Sequence, residues 1–300
     1  MIKTRSRKRT LRFWILHLLA GFVCVGVIVA LTTYAPAFFQ EDRSLQRVVS
    51  SGVITVGYSI EAPHAFLTPE GHVTGVSPEI VRHIMGKLGV RDVRWRKCEF
   101  GDLINELEAG HIDMIAAGMV VTPERMQRIS FLPVVFADPP SLLVLKGNPK
   151  NITHYRQFVD DSSLRIAVLL GAVEEDTYKG LGVAPARVFA IPDVPTIRAA
   201  IAGGVVDAVA LPLSIVSKMA ADDRLGRTEV NESYQNPPEG IPCSTAFACR
   251  KEDLSLLRAA ARELDAFIGT EEYLSLISSF GLTESNVPPP ADRKGKPRHE

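Results

Sequence analysis

From residue 44 onward, short apolar runs alternate with stretches in which apolar residues return every three or four positions, a pattern of strands and amphipathic helices. GVITVGYS (52–59) predicts a strand. Ser77-Pro78-Glu79 then opens a helix, with Ser77 as its cap and a proline in its first turn, running through IVRHIMGKL to Gly89. VRWRKCEF (93–100) predicts the next strand, and GDLINELEAG (101–110) a short helix with Leu103, Ile104 and Leu107 inward and Gly110 as its stop. DMIAAGMV (113–120) predicts a buried strand, and RISFLPVVF and SLLVLKGN predict two more, the second reaching about Lys146.

A second set follows. LRIAVLLGA (164–172) predicts a strand that opens through a glycine turn into a helix; ARVFAI (186–191) and VVDAVALP (205–212) predict strands on either side of the helix TIRAAIAGG (196–204). After the polar break YQNPPEG (234–240) come an apolar strand, IPCSTAFACR, and two helices, LSLLRAAARELDAFI and EEYLSLISSFG. Alternation of this kind implies an α/β fold with largely parallel sheets. Two such units plus a late strand returning to the first imply two lobes and a cleft between them. Open parallel sheets bind ligands beyond the carboxyl ends of their strands, so the loops after strands 52–59, 113–120 and 164–171 are the candidate site. Neither half carries a GxGxxG or GxxxxGK[ST] pattern, which removes the usual warrant for nucleotide binding.

The head of the chain is different in kind. Six basic residues (Lys3, Arg5, Arg7, Lys8, Arg9, Arg12) precede the first acidic one, Glu41, and lead into an apolar run from Leu11 to Leu31, close to the ~20 residues of a bilayer span. Residues 1–37 therefore read as a basic cytoplasmic head with either a membrane anchor, over 11–33, or a signal peptide cleaved after Ala35-Pro36-Ala37. Either places the body outside the cytoplasm, and Cys24 within the run reads as a small buried hydrophobe. The chain as a whole balances 34 basic against 34 acidic residues, so without the head's six the body is mildly acidic, which argues against a nucleic-acid partner. Three cysteines remain (Cys98, Cys243, Cys249); the last two lie about 20 Å apart along one predicted strand, too far for a disulfide. No Cys/His grouping has metal-ligand spacing, and no cofactor is expected. The proline-bearing tail 288–300 predicts disorder.

The runs EAPHAFLTPEGHVTGVSPEIVRHIMGKLG, EFGDLINELEAGHIDMIAAGMVVTPERMQRISF, VLKGNP, AVLLGAVEED, GGVVDAVAL, AFACRKEDLSLLRAA and SFGLTESNVP, in this order over about residues 45–287, resemble the extracellular solute-binding proteins of polar amino-acid ABC transporters. Within that family the chain looks most like the ectoine/hydroxyectoine-binding branch, and TPER after AAGM is its most specific element. The resemblance implies a type II periplasmic-binding-protein fold: two α/β lobes, here 44–145 with 240–287 and then 146–239, joined by two hinge strands. It also implies a small zwitterionic ligand, a membrane permease as partner, a monomer, and no catalytic chemistry.

The resemblance gives Arg125 of TPER the ligand carboxylate, which suits the fork of a guanidinium. It gives Glu61 the cation and Phe100 one wall of an aromatic box around it. His64 and Val120 stand where that branch has further aromatics, so replacing His64 by phenylalanine is expected to improve ectoine binding, and Phe66 is a substitute wall or a core residue. Gly171, Val173 and Glu174, in the turn that opens a second-lobe helix, resemble the turn that offers backbone N–H groups to the ligand, a role the start of a helix suits. Gly118 lies in the corresponding first-lobe loop. Pro212 stands where binders of standard α-amino acids keep an acid, and Asp207 reads as structural. Two other readings compete. A cyclohexadienyl or arogenate dehydratase on the same fold would use Glu61 or Glu174 as general acid; a membrane-tethered sensor would report ligand to a separate partner.

Overall fold

The computed structural model describes residues 42–223, 226–234 and 243–289. The leader with its apolar run, the break at 235–240 and the tail from 290 lie outside the described residues. Among the described residues no helix is long and apolar enough to cross a membrane.

Helix α1 (Ser44–Ser51) stops at Gly52, whose left-handed backbone returns its N–H to Val48 and Val49. Strand β1 (Val53–Tyr58) follows, its branched residues Ile54 and Val56 fully buried. A small hairpin, β2 (Phe66–Leu67) with β3 (Val73–Thr74), precedes helix α2 (Val76–Lys87). Ser77 is not the cap expected of it. The helix starts two residues earlier, after Gly75, and its first N–H groups are taken by carbonyls: Val76 donates to Pro63 (3.1 Å) and Ser77 to His64 (3.0 Å). A Cβ at Gly75 would stand 2.5 Å from the His64 carbonyl oxygen, so glycine is what lets the helix dock on that turn.

Edge strand β4 (Asp92–Lys97) pairs in parallel with β1; a 3-10 turn at Phe100–Asp102 then leads into α3 (Leu103–Glu108), with Leu103, Ile104 and Leu107 buried as expected. Strand β5 (Met114–Ile115) is much shorter than 113–120. Beyond it the chain turns tightly at Ala117–Met119 and rejoins the sheet on another strand, where Ala246 donates to Met119 and Val121 to Ser244. The run is buried throughout, and burial, not pairing, is what its apolar sequence reports.

After α4 (Pro123–Arg128), strand β6 (Ile129–Ala137) completes the first sheet and β7 (Pro140–Leu145) begins the second. The expected lobe boundary after residue 145 is corrected accordingly: β7 pairs with two second-sheet strands, so the crossing is at Asp138–Pro139. Then come α5 (Gln157–Asp160), β8 (Ile166–Leu169), α6 (Val173–Gly180), β9 (Val188–Ile191), α7 (Val194–Ala202), β10 (Ala208–Pro212), α8 (Leu213–Ala221) and β11 (Thr228–Val230). Strand β12 (Ser244–Arg250) returns to the first sheet, and α9 (Leu254–Phe267) and α10 (Glu271–Ser279) cover it. The sheet orders are β4-β1-β5-β12-β6 and β11-β7-β10-β8-β9.

The lobes repeat one device. Asp113 before β5 accepts the N–H of Thr55, and Asp207 before β10 accepts that of Arg165, each bond tying a parallel neighbour into register. Asp207 is structural, as its sequence position suggests. One core fills the first lobe around Ile54, Ile80, Ile84, Leu256 and Leu264, and another lies under Phe158 and Tyr178 in the second. A third is continuous between lobes, joining Leu103 and Ile115 to Leu169, Leu211 and Ile215.

Candidate functional site

The carboxyl ends of β1, β5, β8 and β10 converge on one narrow cavity between the lobes. The first lobe supplies Glu61, Phe100, Gly118, Val120 and Arg125; the second supplies Leu169, Ala172, Val173, Glu174, Leu211 and Pro212. Seven of the nine residues singled out in the sequence thus share one space, and His64 and Gly171 do not line it.

Arg125 is placed by the local chemistry of TPER. Thr122 caps α4, its Oγ1 accepting the Arg125 N–H at 3.2 Å, and Pro123 supplies the first helical residue without wasting a donor. The side chain then spans the cleft: Nη1 donates to the Val120 carbonyl (2.7 Å) and Nη2 to the Gly171 carbonyl in the opposite lobe (2.8 Å). Its guanidinium carbon lies 5.5 Å from the ring centre of Phe100, so one face of that ring is covered by a cation of the protein itself. Burial pushes the guanidinium pKa down, while Glu174, Asp176 and Glu61 act to raise it.

Glu61 and Glu174 are each 4% exposed. The Glu61 carboxylate accepts the Ser59 hydroxyl at close range, and burial raises its pKa against the lowering effects of His64, Ser59 and Arg125. Glu174, at the start of α6, is pushed up to about 7: burial dominates, its own backbone N–H and Arg125 pull down, and Glu61 and Asp138 push up. Gly171 does not offer its N–H to the cleft as expected, because that N–H donates to the Glu175 carboxylate (2.8 Å), which Lys179 also holds. The left-handed backbone at Gly171 instead turns its carbonyl toward Arg125.

His64 is the larger departure. It is fully buried and does not itself line the cavity: Nε2 is 3.0 Å from both Asp138 Oδ2 and Ser214 Oγ, its ring is 4.9 Å from that of Phe136, and its Nδ1 edge packs against the lining residue Gly118, where a Cβ would collide with it. Phe66 is half-buried against Phe280 and walls nothing in the site. Leu169 and Leu211 were not anticipated; as apolar residues at strand ends they are indistinguishable in sequence from core, whereas Ala172 belongs to the turn that opens α6. Asp138 precedes Pro139-Pro140 at the lobe crossing and Ser214 is the second residue of α8; nothing in the sequence singles out either, since it is their joint contact with His64 that marks them.

A family model described as bacterial extracellular solute-binding proteins, family 3, matches residues 54–283. A probable amino-acid ABC transporter periplasmic-binding protein of Sinorhizobium fredii, y4tE, is 28% identical over 90% of this chain and 91% of its own length. Among solved structures, EhuB in complex with hydroxyectoine is 25% identical, with a TM-score of 0.76 over 81% of this chain and 94% of that one. The ancestral amino-acid-binding protein AncCDT-1, a precursor of cyclohexadienyl dehydratase, shares the fold at 22% identity, with a TM-score of 0.70 over 79% of this chain and 99% of that one.

Proposed function

Because the chain belongs to the bacterial extracellular solute-binding proteins, family 3, we propose that it is the capture component of an ABC importer, closing its two lobes on a small zwitterionic solute, ectoine-like or a polar amino acid. The observation that supports this reading most is Arg125: one guanidinium, bonded to carbonyls of both lobes, lines a cavity that also holds two buried carboxylates. Those two bonds use two of its five donors, leaving others for a solute carboxylate. Glu61 then takes the solute's positive charge, and the apolar residues at the strand ends exclude water.

The protein works outside the cytoplasm as a monomer, carried there by its N-terminal segment, and hands the closed, loaded form to a membrane permease. It performs no chemistry. One observation favours the dehydratase reading instead: a buried Glu174 with a pKa of about 7 retains a proton near neutral pH, as a general acid must.

A thermal-shift series with ectoine, glycine betaine, glutamine, arginine and arogenate separates the readings. A bound solute at 100 times its Kd adds about 2.7 kcal/mol to stability. Stabilisation by one of the first four, with arogenate unchanged after incubation, supports capture. Turnover of arogenate overturns it, and so does the absence of any shift.

A further inference from the structure

Arg125 is the only cationic side chain lining the cleft among the described residues, whereas two carboxylates line it, Glu61 from the first lobe and Glu174 from the second. Neither carboxylate forms an ion pair within 4.0 Å among the described residues, and the guanidinium that would offset them spends its visible bonds on the Val120 and Gly171 carbonyls. With both acids ionised, the closed cleft therefore carries one negative charge in excess. Buried charge of this kind must be met by a partner or a proton.

The surroundings do not supply that partner. On its own helix Glu174 is followed by Glu175, which is held by Lys179 and the Gly171 N–H, and by Asp176, a further negative charge near Arg125. From the first lobe it meets Arg125 and Glu61, and from the lobe crossing Asp138, whose charge is engaged with His64 and Ser214. Tyr178, one turn along, feels the same carboxylate and bonds Tyr234 instead. The Phe100 ring is covered on one face by Arg125, so an aromatic wall is not free on that side to hold a cation. Burial, the largest cause, pushes Glu174 up to about 7, and the charges of Glu61 and Asp138 add to it against the pull of its own backbone N–H and Arg125, so near neutral pH the missing charge is a proton.

We propose that Glu174 is the second half of a two-carboxylate cation receptor with Glu61, and that the cleft selects solutes of net charge +1, a carboxylate carried together with two cationic groups. This rests on the capture function above and narrows it. The carboxylate lies against Arg125, and each acid receives one positive group. Loading above neutral pH satisfies the excess charge directly; loading below it displaces a proton from Glu174, so affinity for such solutes rises with pH from 5.5 to 8.

Titration calorimetry of the full mature chain with L-arginine and its uncharged isostere L-citrulline, and with L-lysine and L-norleucine, tests the claim at pH 5.5 and pH 8. At pH 8 the charged member of each pair is expected to bind at least tenfold tighter. That ratio shrinks at pH 5.5 and falls below threefold at pH 8 in Glu174→Gln, which keeps the shape of the side chain. Citrulline within threefold of arginine at pH 8, or a preference untouched by Glu174→Gln, overturns the receptor. If ectoine or betaine binds and all four probes fail, the receptor is overturned while solute capture stands; if nothing binds, both fall. A measurement on the empty protein adds a check on folding: its Tm is expected to drop between pH 5 and pH 8 by more in wild type than in Glu174→Gln, and equal drops count against an ionising Glu174.

Discussion

Nε2 of His64 lies 3.0 Å from Oδ2 of Asp138, and both side chains are almost fully shielded from solvent. Ser214 completes the arrangement, its hydroxyl donating to the same Oδ2 at 2.5 Å and its N–H to Oδ1 at 3.1 Å. A first-lobe histidine, the aspartate at the lobe crossing and a second-lobe serine thus meet at one point. The carboxylate is the acceptor that joins them, and its burial makes each donor costly to lose.

His64→Phe should therefore destabilise the protein instead of completing an aromatic box. Removing one donor from a buried acceptor costs about 1–3 kcal/mol, more where the group is charged. Calorimetry should show a lower Tm, and titration should show ectoine binding no tighter than in wild type. Tighter binding at an unchanged Tm would return His64 to the ligand site.

Arg125→Ala should weaken binding of a carboxylate solute by more than tenfold, since loss of one partner from a desolvated pair costs about 2–5 kcal/mol. The bonds of Arg125 to Val120 and Gly171 imply a lower Tm of the empty protein as well, because the same side chain ties the lobes together. Arg125→Lys should recover little of either property: one ammonium lacks the planar fork that spans both carbonyls.

Gly171→Ala should separate folding from closure. The residue has φ of 78°, and a Cβ there would stand 2.8 Å from the Gly101 Cα in the other lobe. Left-handed backbone costs alanine about 1–2 kcal/mol, and the added methyl blocks the approach. Each lobe should still fold. Small-angle scattering should show a larger radius of gyration than wild type in the presence of solute, and affinity should fall; a wild-type radius with wild-type affinity would contradict the close approach.

Glu61→Gln should stabilise the empty protein at alkaline pH while weakening capture of cationic solutes. Burial raises the Glu61 pKa above its ordinary value. Stability associated with this group is therefore fully present below the ordinary carboxylate pKa and is lost as pH rises through the folded value. The amide does not ionise, so at pH 8 the mutant should melt higher than wild type, whereas at pH 4, where Glu61 is protonated, the two should melt at about the same temperature. A lower Tm for the mutant at pH 8 would show that ionised Glu61 has a partner in the empty protein that outweighs its burial.

The alternation of apolar runs and helical periods was enough to indicate two α/β lobes, a late strand returning to the first sheet and a cleft at the strand ends. These follow from local burial, which a sequence records directly: Ile54 and Val56, or Leu103, Ile104 and Leu107, are apolar where the chain is inside. TPER likewise carried its own instructions, since Thr122, Pro123 and Arg125 set cap, first turn and side chain within four residues. Tertiary structure alone decided the matters that depend on distant partners. β7 joined the second sheet because β10 and β11, more than sixty residues on, pair with it. Ser77 lost its cap role to carbonyls at Pro63 and His64, and His64 left the cleft because Asp138 and Ser214 offered buried hydrogen bonds that no aromatic neighbour could. Periodicity reports whether a side chain is buried, but the identity of its partner is fixed by which segments the fold brings within about 3 Å, and polar groups are placed by that partner.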